Sequence, residues 1–238
     1  MISSERNAEV TDSFVFPPSP IVAIPVAGSD AKFPVRRIYC VGRNYAAHIR
    51  EMGGDERELP FFFQKPADAI VLSGGTVPYP SQTDDFQYEI ELVLAIGKEG
   101  SDISVENARD HIFGLAAGID LTRRDMQFKA RNSGRPWESG KSFDHSAPIS
   151  PIHRLNGDLP SAGDIALSVN GEVKQKGDLS ELIWGNAEIV ANLSSFFTLM
   201  PGDLIYTGTP SGVGPIQPGD RIDGYIAGVD TINITISR

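Results

Sequence analysis

The stretch FQYEIELVLAIG, residues 86–97, alternates apolar and other residues with a period of two. Side chains point to opposite faces along a strand. Tyr88, Ile90, Leu92, Leu94 and Ile96 therefore share one apolar face, and Glu89 and Glu91 share the other with Val93 and Ala95. Further apolar runs predict RIYCVG (37–42) as a buried strand and PFFFQKPADAIV as a strand and turn. NYAAHIREMGG reads as a short helix stopped by glycines, and SVENARDHI as a helix with Ser104 as its N-cap. FGLAAGIDLT is a second buried strand running into RRDMQFKARN as a helix. Beyond it come short strands between Gly- and Pro-rich turns (IALSVNGEVKQKG, GDLIYTG, GDRIDGYIAG, TINITIS) and one helix near NAEIVANLSSFF. Asn170-Gly171 between alternating apolar residues signals a hairpin.

Strand and helix do not alternate regularly enough for a doubly wound sheet. The pattern predicts an α+β, β-dominated catalytic domain over residues 36–238 with a few short helices. Prolines at 17, 18, 20 and 25 favour extended or polyproline structure before it. Residues 1–35 therefore read as an arm lying on the main domain.

Composition narrows the function. The 238 residues, 40% hydrophobic and 22% charged, suit a soluble globular protein with a substantial core. A net charge of -10 with no basic run argues against nucleic acid, which needs clustered Lys and Arg. Cys40 is the single cysteine, so an intrachain disulfide and a cysteine-based zinc site are both excluded. The N-terminus lacks an apolar leader core, and no apolar run is long enough to span a bilayer. A reducing cytoplasm is the expected setting. An acidic protein that binds an acid must concentrate positive charge locally.

Candidate chemistry centres on the two glutamates. The same spacing suits a half-exposed antiparallel strand with its polar face in water. Asp120, which ends the apolar run GLAAGID, gives the alternative more weight: three carboxylates on two core strands form a hard, oxygen-only ligand set for Mg²⁺, Mn²⁺ or Ca²⁺. His48 and Glu51, at i and i+3 on a helix, could form a water-activating pair or an ordinary surface pair. Arg124 and Gln127 have the same spacing and could grip a carboxylate, or the arginine could pair with Asp125 or Glu138. His111, His145 and His153 have no such neighbour and read as structural or exposed. Lys65 and Lys141 follow apolar or Gly-containing stretches, and Thr209 sits in the turn-rich loop YTGTPSGVGP. That loop lacks the ending of a phosphate-binding loop. With no G-x-S-x-G, a serine nucleophile is unsupported.

Taken in order, YCVGRNYAAHIREM, FFFQKPADAI, YEIEL, GIDLTRRDMQ, GRPWESGKSFDHSAPI, VNGEVKQKGDLSELIW and GDLIYTGTPSGVGP resemble the fumarylacetoacetate hydrolase superfamily. They are most similar to its short, single-domain acylpyruvate hydrolases, and within these to fumarylpyruvate hydrolases of gentisate-type aromatic-acid breakdown. The resemblance spans residues 14–238. It implies a mixed β-sandwich roll, a homodimer and a divalent metal, Mg²⁺ or Mn²⁺, held by Glu89, Glu91 and Asp120. Arg124 and Gln127 would hold substrate, Lys141 would sit beside the metal, and Lys65 and Thr209 would approach the bound acid. His48 and Glu51 match the family's water-activating dyad, on a helix that acts as a lid. Longer members bring an extra carboxylate ligand from just before this histidine, where CVGRNY offers none, so three protein ligands are expected.

The implied reaction is hydrolysis of the carbon–carbon bond of a 2,4-dioxo acid to pyruvate and a second acid. Relatives with the same metal site decarboxylate oxaloacetate or isomerise 2-hydroxy-dienedioates, and a non-catalytic metal- or acid-binding protein is a further class. The filled His48–Glu51 positions favour hydrolysis. A fumaryl group would need a cation for its distal carboxylate, and Arg43, Arg50 and Arg131 are the candidates.

Overall fold

The computed structural model describes residues 14–45 and 59–238. Strands dominate among them. The strand Ile90–Ile96 lies inside an eight-stranded sheet, between Asp203–Tyr206 and Ile112–Ile119, antiparallel to both. The path continues on one side through Arg37–Gly42 to Phe61–Lys65, and on the other through Ala147–Ile149 to Ile70–Leu72. The sheet is mixed, because Asp203–Tyr206 runs parallel to Arg37–Gly42. A five-stranded sheet, ordered Glu172–Asp178, Asp164–Val169, Arg221–Ile226, Ile232–Ser237, Thr76–Pro78, packs against it. A third, small sheet joins Thr122–Arg123, Phe86–Tyr88 and Gly214–Pro215.

The period of two sorts the central strand between two cores. Tyr88, Ile90, Leu92, Leu94 and Ile96 join a core with Ile165, Leu167, Ile222 and Ile234 of the five-stranded sheet and Ile189 and Leu193 of the helix Asn186–Phe196. Val93 and Ala95 face a second core with Cys40, Ala116, Leu204 and Tyr206. Both faces are dry, so a half-exposed strand is not what forms. Four aliphatic side chains of the first face are no more than 1% exposed. At about 1.5–3 kcal/mol for each large side chain buried, they lock a register that a one-residue slip would invert.

Within residues 1–35, Ala23–Pro25 and Lys32–Pro34 pair as an antiparallel hairpin, and Ile24, Val26, Phe33 and Val35 enter the second core. Val105–His111 is a 3₁₀ segment, and Ser104 makes no side-chain cap bond to it. The hairpin at Asn170-Gly171 forms as expected, both residues taking positive φ (52° and 83°) as a type I′ turn requires. A register shift follows between Leu167 and Ser168, leaving Gln175 buried between exposed Lys174 and Lys176. RRDMQFKARN forms the helix Arg124–Asn132. Among the described residues no helix is long and apolar enough to cross a membrane.

Candidate metal and acid-binding centre

Glu89 occupies the break between Phe86–Tyr88 and Ile90–Ile96, and Asp120 follows directly on Ile112–Ile119. Backbone bonding joins them, since the Asp120 N–H donates to the Glu89 carbonyl at 2.8 Å. Glu91 stands two residues on, opposite Gly118, where a Cβ would lie 2.5 Å from the Tyr206 ring and 2.6 Å from Val93. One oxygen from each carboxylate lies within 4.8 Å of the others, and the three residues are 5%, 2% and 1% exposed.

Three carboxylates this close in a dry site repel strongly. Burial first, then the charges of Asp120 and Glu89, push the Glu91 carboxyl well above its ordinary range. The Gly208 N–H compensates in part, donating to Oε2 at 2.8 Å. Among the described residues no Lys or Arg is within ion-pair distance of Glu91.

Lys141 lies across the other two carboxylates. Its Nζ donates to Glu89 Oε2 at 2.8 Å, Asp120 Oδ2 at 2.7 Å and Thr122 Oγ1 at 2.7 Å. Burial works against its charge, but Asp120 and Glu89 outweigh that and raise its pKa, so it remains an ammonium. Arg124 pairs with Glu89 Oε1 and donates to Gln127 Oε1 at 2.6 Å and Gln87 Oε1 at 2.8 Å. It therefore pairs with Glu89, and not with Asp125 or Glu138. Lys65 Nζ is 2.8 Å from Asp120 Oδ1, an ion pair in which no hydrogen bond is aimed at that oxygen. Its protons go to the carbonyls of Leu121, at 3.2 Å, and Lys141.

The donor set fits a hard divalent cation. It is all oxygen, buried, and leaves the repelled Glu91 without a cationic partner among the described residues. Lys65, Lys141 and Arg124 formally balance the three carboxylates, so a dication would bring the cluster to about +2. Such a centre favours an anionic acid in an otherwise acidic protein.

The expected residues meet here with two differences. Glu89, Glu91, Asp120, Arg124, Gln127, Lys141 and Thr209 all line one cavity, whereas Lys65 stands behind Asp120 and is not on its wall. His48 and Glu51 lie outside the described residues. His153 does have a carboxylate neighbour, Asp230 at 3.0 Å, but as a partly exposed surface pair. Three supporting residues escape a reading of the sequence. Thr122 completes the Lys141 cradle, and its place two residues after Asp120 was an available signal. Asn44 spans two segments, donating to the Trp184 and Thr207 carbonyls at 2.9 and 2.8 Å. Gln175 reaches in from the other sheet, accepting from Ile90 N–H at 3.0 Å and donating to Thr209 Oγ1 and the Pro210 carbonyl, each at 2.8 Å. Ile90 separates the two glutamates, so this side chain couples their strand to the Thr209 loop.

Known proteins resemble this chain over most of its length. Residues 37–237 match the model of the fumarylacetoacetate (FAA) hydrolase C-terminal family. A fumarylpyruvate hydrolase from Ralstonia sp is 48% identical over 75% of this chain and 93% of that protein. An oxaloacetate tautomerase of Escherichia coli (strain K12) is 40% identical over 82% of this chain and 90% of its own length. A fumarylpyruvate hydrolase from Pseudomonas aeruginosa, solved in complex with Mn²⁺ and pyruvate, superposes with a TM-score of 0.92 at 52% identity, covering 94% of this chain and 99% of that one. The mixed, strand-dominated roll is thus the fold these relatives share.

Proposed function

The chain belongs to the fumarylacetoacetate hydrolase family, and we propose that it is a metal-dependent hydrolase that cleaves the carbon–carbon bond of an acylpyruvate, specifically fumarylpyruvate, to pyruvate and fumarate. The observation that carries this reading is the buried Glu89–Glu91–Asp120 cluster with Lys141 laid across it. Those three carboxylates would hold Mg²⁺ or Mn²⁺, and the bound ion would supply Lewis-acid polarisation of the keto acid. The Mn²⁺ and pyruvate of the Pseudomonas aeruginosa relative support both parts of the proposal.

The side chains then divide the work. Arg124, its guanidinium oriented by Gln87 and Gln127, receives the substrate carboxylate. His48, oriented by Glu51, takes a proton from the water that attacks the C4 carbonyl. The C3–C4 bond breaks and its electron pair passes to the pyruvate half as an enolate, which a proton then quenches. Lys141 offers its ammonium to that developing negative charge, and a pre-set charge in a dry site is effective because it need not reorganise. Thr209 contacts the bound acid, and Lys65 serves the reaction through Asp120. We further propose that the chain works as a homodimer in the cytoplasm, in aromatic-acid breakdown; sedimentation of the purified protein tests the dimer.

The deciding assay uses purified protein with Mg²⁺ or Mn²⁺ against fumarylpyruvate, maleylpyruvate, acetylpyruvate and oxaloacetate, following loss of the enol absorbance. Highest kcat/KM on fumarylpyruvate is expected. Turnover of oxaloacetate alone would overturn the hydrolase reading in favour of the tautomerase or decarboxylase chemistry of other relatives.

A further inference from the structure

We propose that Arg43, at the end of a slot walled by Phe63 and Trp137, binds the distal carboxylate of the substrate and selects a flat, conjugated, anionic acyl group. This deepens the acylpyruvate reading and rests on it. Of the three arginines offered by the sequence, Arg50 lies outside the described residues. Arg131 sits in the last turn of the helix Arg124–Asn132 and is not on the cavity wall. Arg43 is.

The local fold explains its position. Arg37–Gly42 pairs with Phe61–Lys65, setting Cys40 opposite Phe63 and Gly42 opposite Phe61. A Cβ on Gly42 would run into the Phe61 ring, so glycine here lets that ring lie against the backbone of the neighbouring strand. The chain then leaves the sheet at Arg43 with φ +59°, a left-handed conformation that non-glycine residues seldom adopt and that clusters at functional sites.

Arg43, Phe63 and Trp137 line both the carboxylate cavity and the open groove beside it. The aromatic surface between the two is continuous. Lys141 Nζ lies 5.2 Å from the centroid of the Phe63 ring, Trp137 meets Phe63 at 6.0 Å, and Phe61 meets Trp137 edge-on at 5.0 Å. A planar acyl chain leaving the Lys141 end would run along these rings, whereas a bent or saturated one would not. Its far end carries a second negative charge. Arg124 and Lys141 lie at the opposite, carboxylate end of the cavity, against Glu89 and Asp120. Among the described residues Arg43 is the cation that lines both the cavity and the groove, and its planar fork suits bidentate carboxylate binding. Glu138 borders the same groove, so an anion is favoured only where the guanidinium reaches it.

The test compares Arg43→Met and Arg43→Lys with the wild type on fumarylpyruvate and acetylpyruvate. Methionine keeps a Cβ at the same φ, so backbone strain is unchanged. Loss of one charge-assisted contact predicts a fall of about 10–100-fold in the ratio of kcat/KM for fumarylpyruvate over acetylpyruvate, mostly in KM, with partial recovery in Arg43→Lys. A ratio unchanged within about threefold overturns the assignment, and so does an equal loss on both substrates. Fumarate and crotonate, which differ by the distal carboxylate, are also titrated calorimetrically into the Mn²⁺-loaded protein. Preference for fumarate in the wild type, lost in Arg43→Met, supports the slot even if neither acylpyruvate is cleaved; no preference in the wild type sinks it. Failure of hydrolysis alone counts against the proposed reaction and leaves the titration to decide the slot.

Discussion

Replacing Gln175 with leucine removes three hydrogen bonds that tie one sheet to the Glu89–Glu91 segment and to the Thr209 loop. The side chain is fully buried, so water cannot take over these bonds. The Thr209 hydroxyl can rotate toward another partner, but the Ile90 N–H and the Pro210 carbonyl are fixed by the backbone. Each buried group left unsatisfied costs about 1–3 kcal/mol, so the loss is about 2–6 kcal/mol. For a domain of this length each kcal/mol lowers Tm by about 2–4 °C.

Stability alone would not distinguish this clamp from any buried polar residue. The specific expectation concerns the ligands. Ile90 lies between Glu89 and Glu91, and loosening its backbone should weaken Mn²⁺ binding by about 10–100-fold, as loss of outer supports does elsewhere. Gln175→Glu keeps the acceptor for Ile90 but loses the two donated bonds. It should retain most of the Mn²⁺ affinity while KM rises through the Thr209 loop. Circular dichroism confirms folding, calorimetry gives the metal affinity, and steady-state kinetics separates kcat from KM. A folded Gln175→Leu protein with wild-type Mn²⁺ affinity and kinetics within twofold of normal would refute the positioning argument.

Four further outcomes follow from the same geometry. His48→Ala should reduce kcat by about 10²–10⁴-fold, the usual contribution of a general base, with Mn²⁺ affinity unchanged; near-normal hydrolysis would remove it from the mechanism. Glu89→Ala should lose both metal and turnover, measured by calorimetry and by the enol assay. Burial and its carboxylate neighbours raise the Glu91 pKa, so the metal-free fold retains a proton that the unfolded chain releases at its ordinary value near 4.5. The stability this group supports is full below that value and is lost as pH rises through the raised one. Metal-free Glu91→Gln should therefore melt higher than wild type at neutral pH, its amide keeping the Gly208 bond, while binding no Mn²⁺; an unchanged or lower melt contradicts the repulsion argument. Gly118→Ala should cost about 1–3 kcal/mol through overpacking against Tyr206 and Val93, visible as a lower urea midpoint.

The residues that cluster in the cavity were legible because their signal is local. Glu89 and Glu91 share a face by the period of two, Asp120 ends an apolar run, and Arg124 and Gln127 share a helix face at i, i+3. Local pattern does not say what covers a face. The glutamate side reads equally well as wetted, and only the second core, built from Cys40, Leu204, Tyr206 and the N-terminal hairpin, makes it dry. Lys65 illustrates a related limit, since a lysine after three phenylalanines suggests a cation near the acid but not which side of Asp120 it occupies. Gln175 is harder still. In EVKQKG it is one polar residue among lysines, and a bulge whose place depends on pairing with Asp164–Val169 turns it inward. Chemistry that resides in one strand or one helical turn can thus be read from spacing, whereas the supports that hold it belong to contacts between segments far apart in the chain. Those supports are also where a metal site gains its rigidity. Gln175 and Asn44 are therefore the residues expected to set how firmly the carboxylate cluster is held.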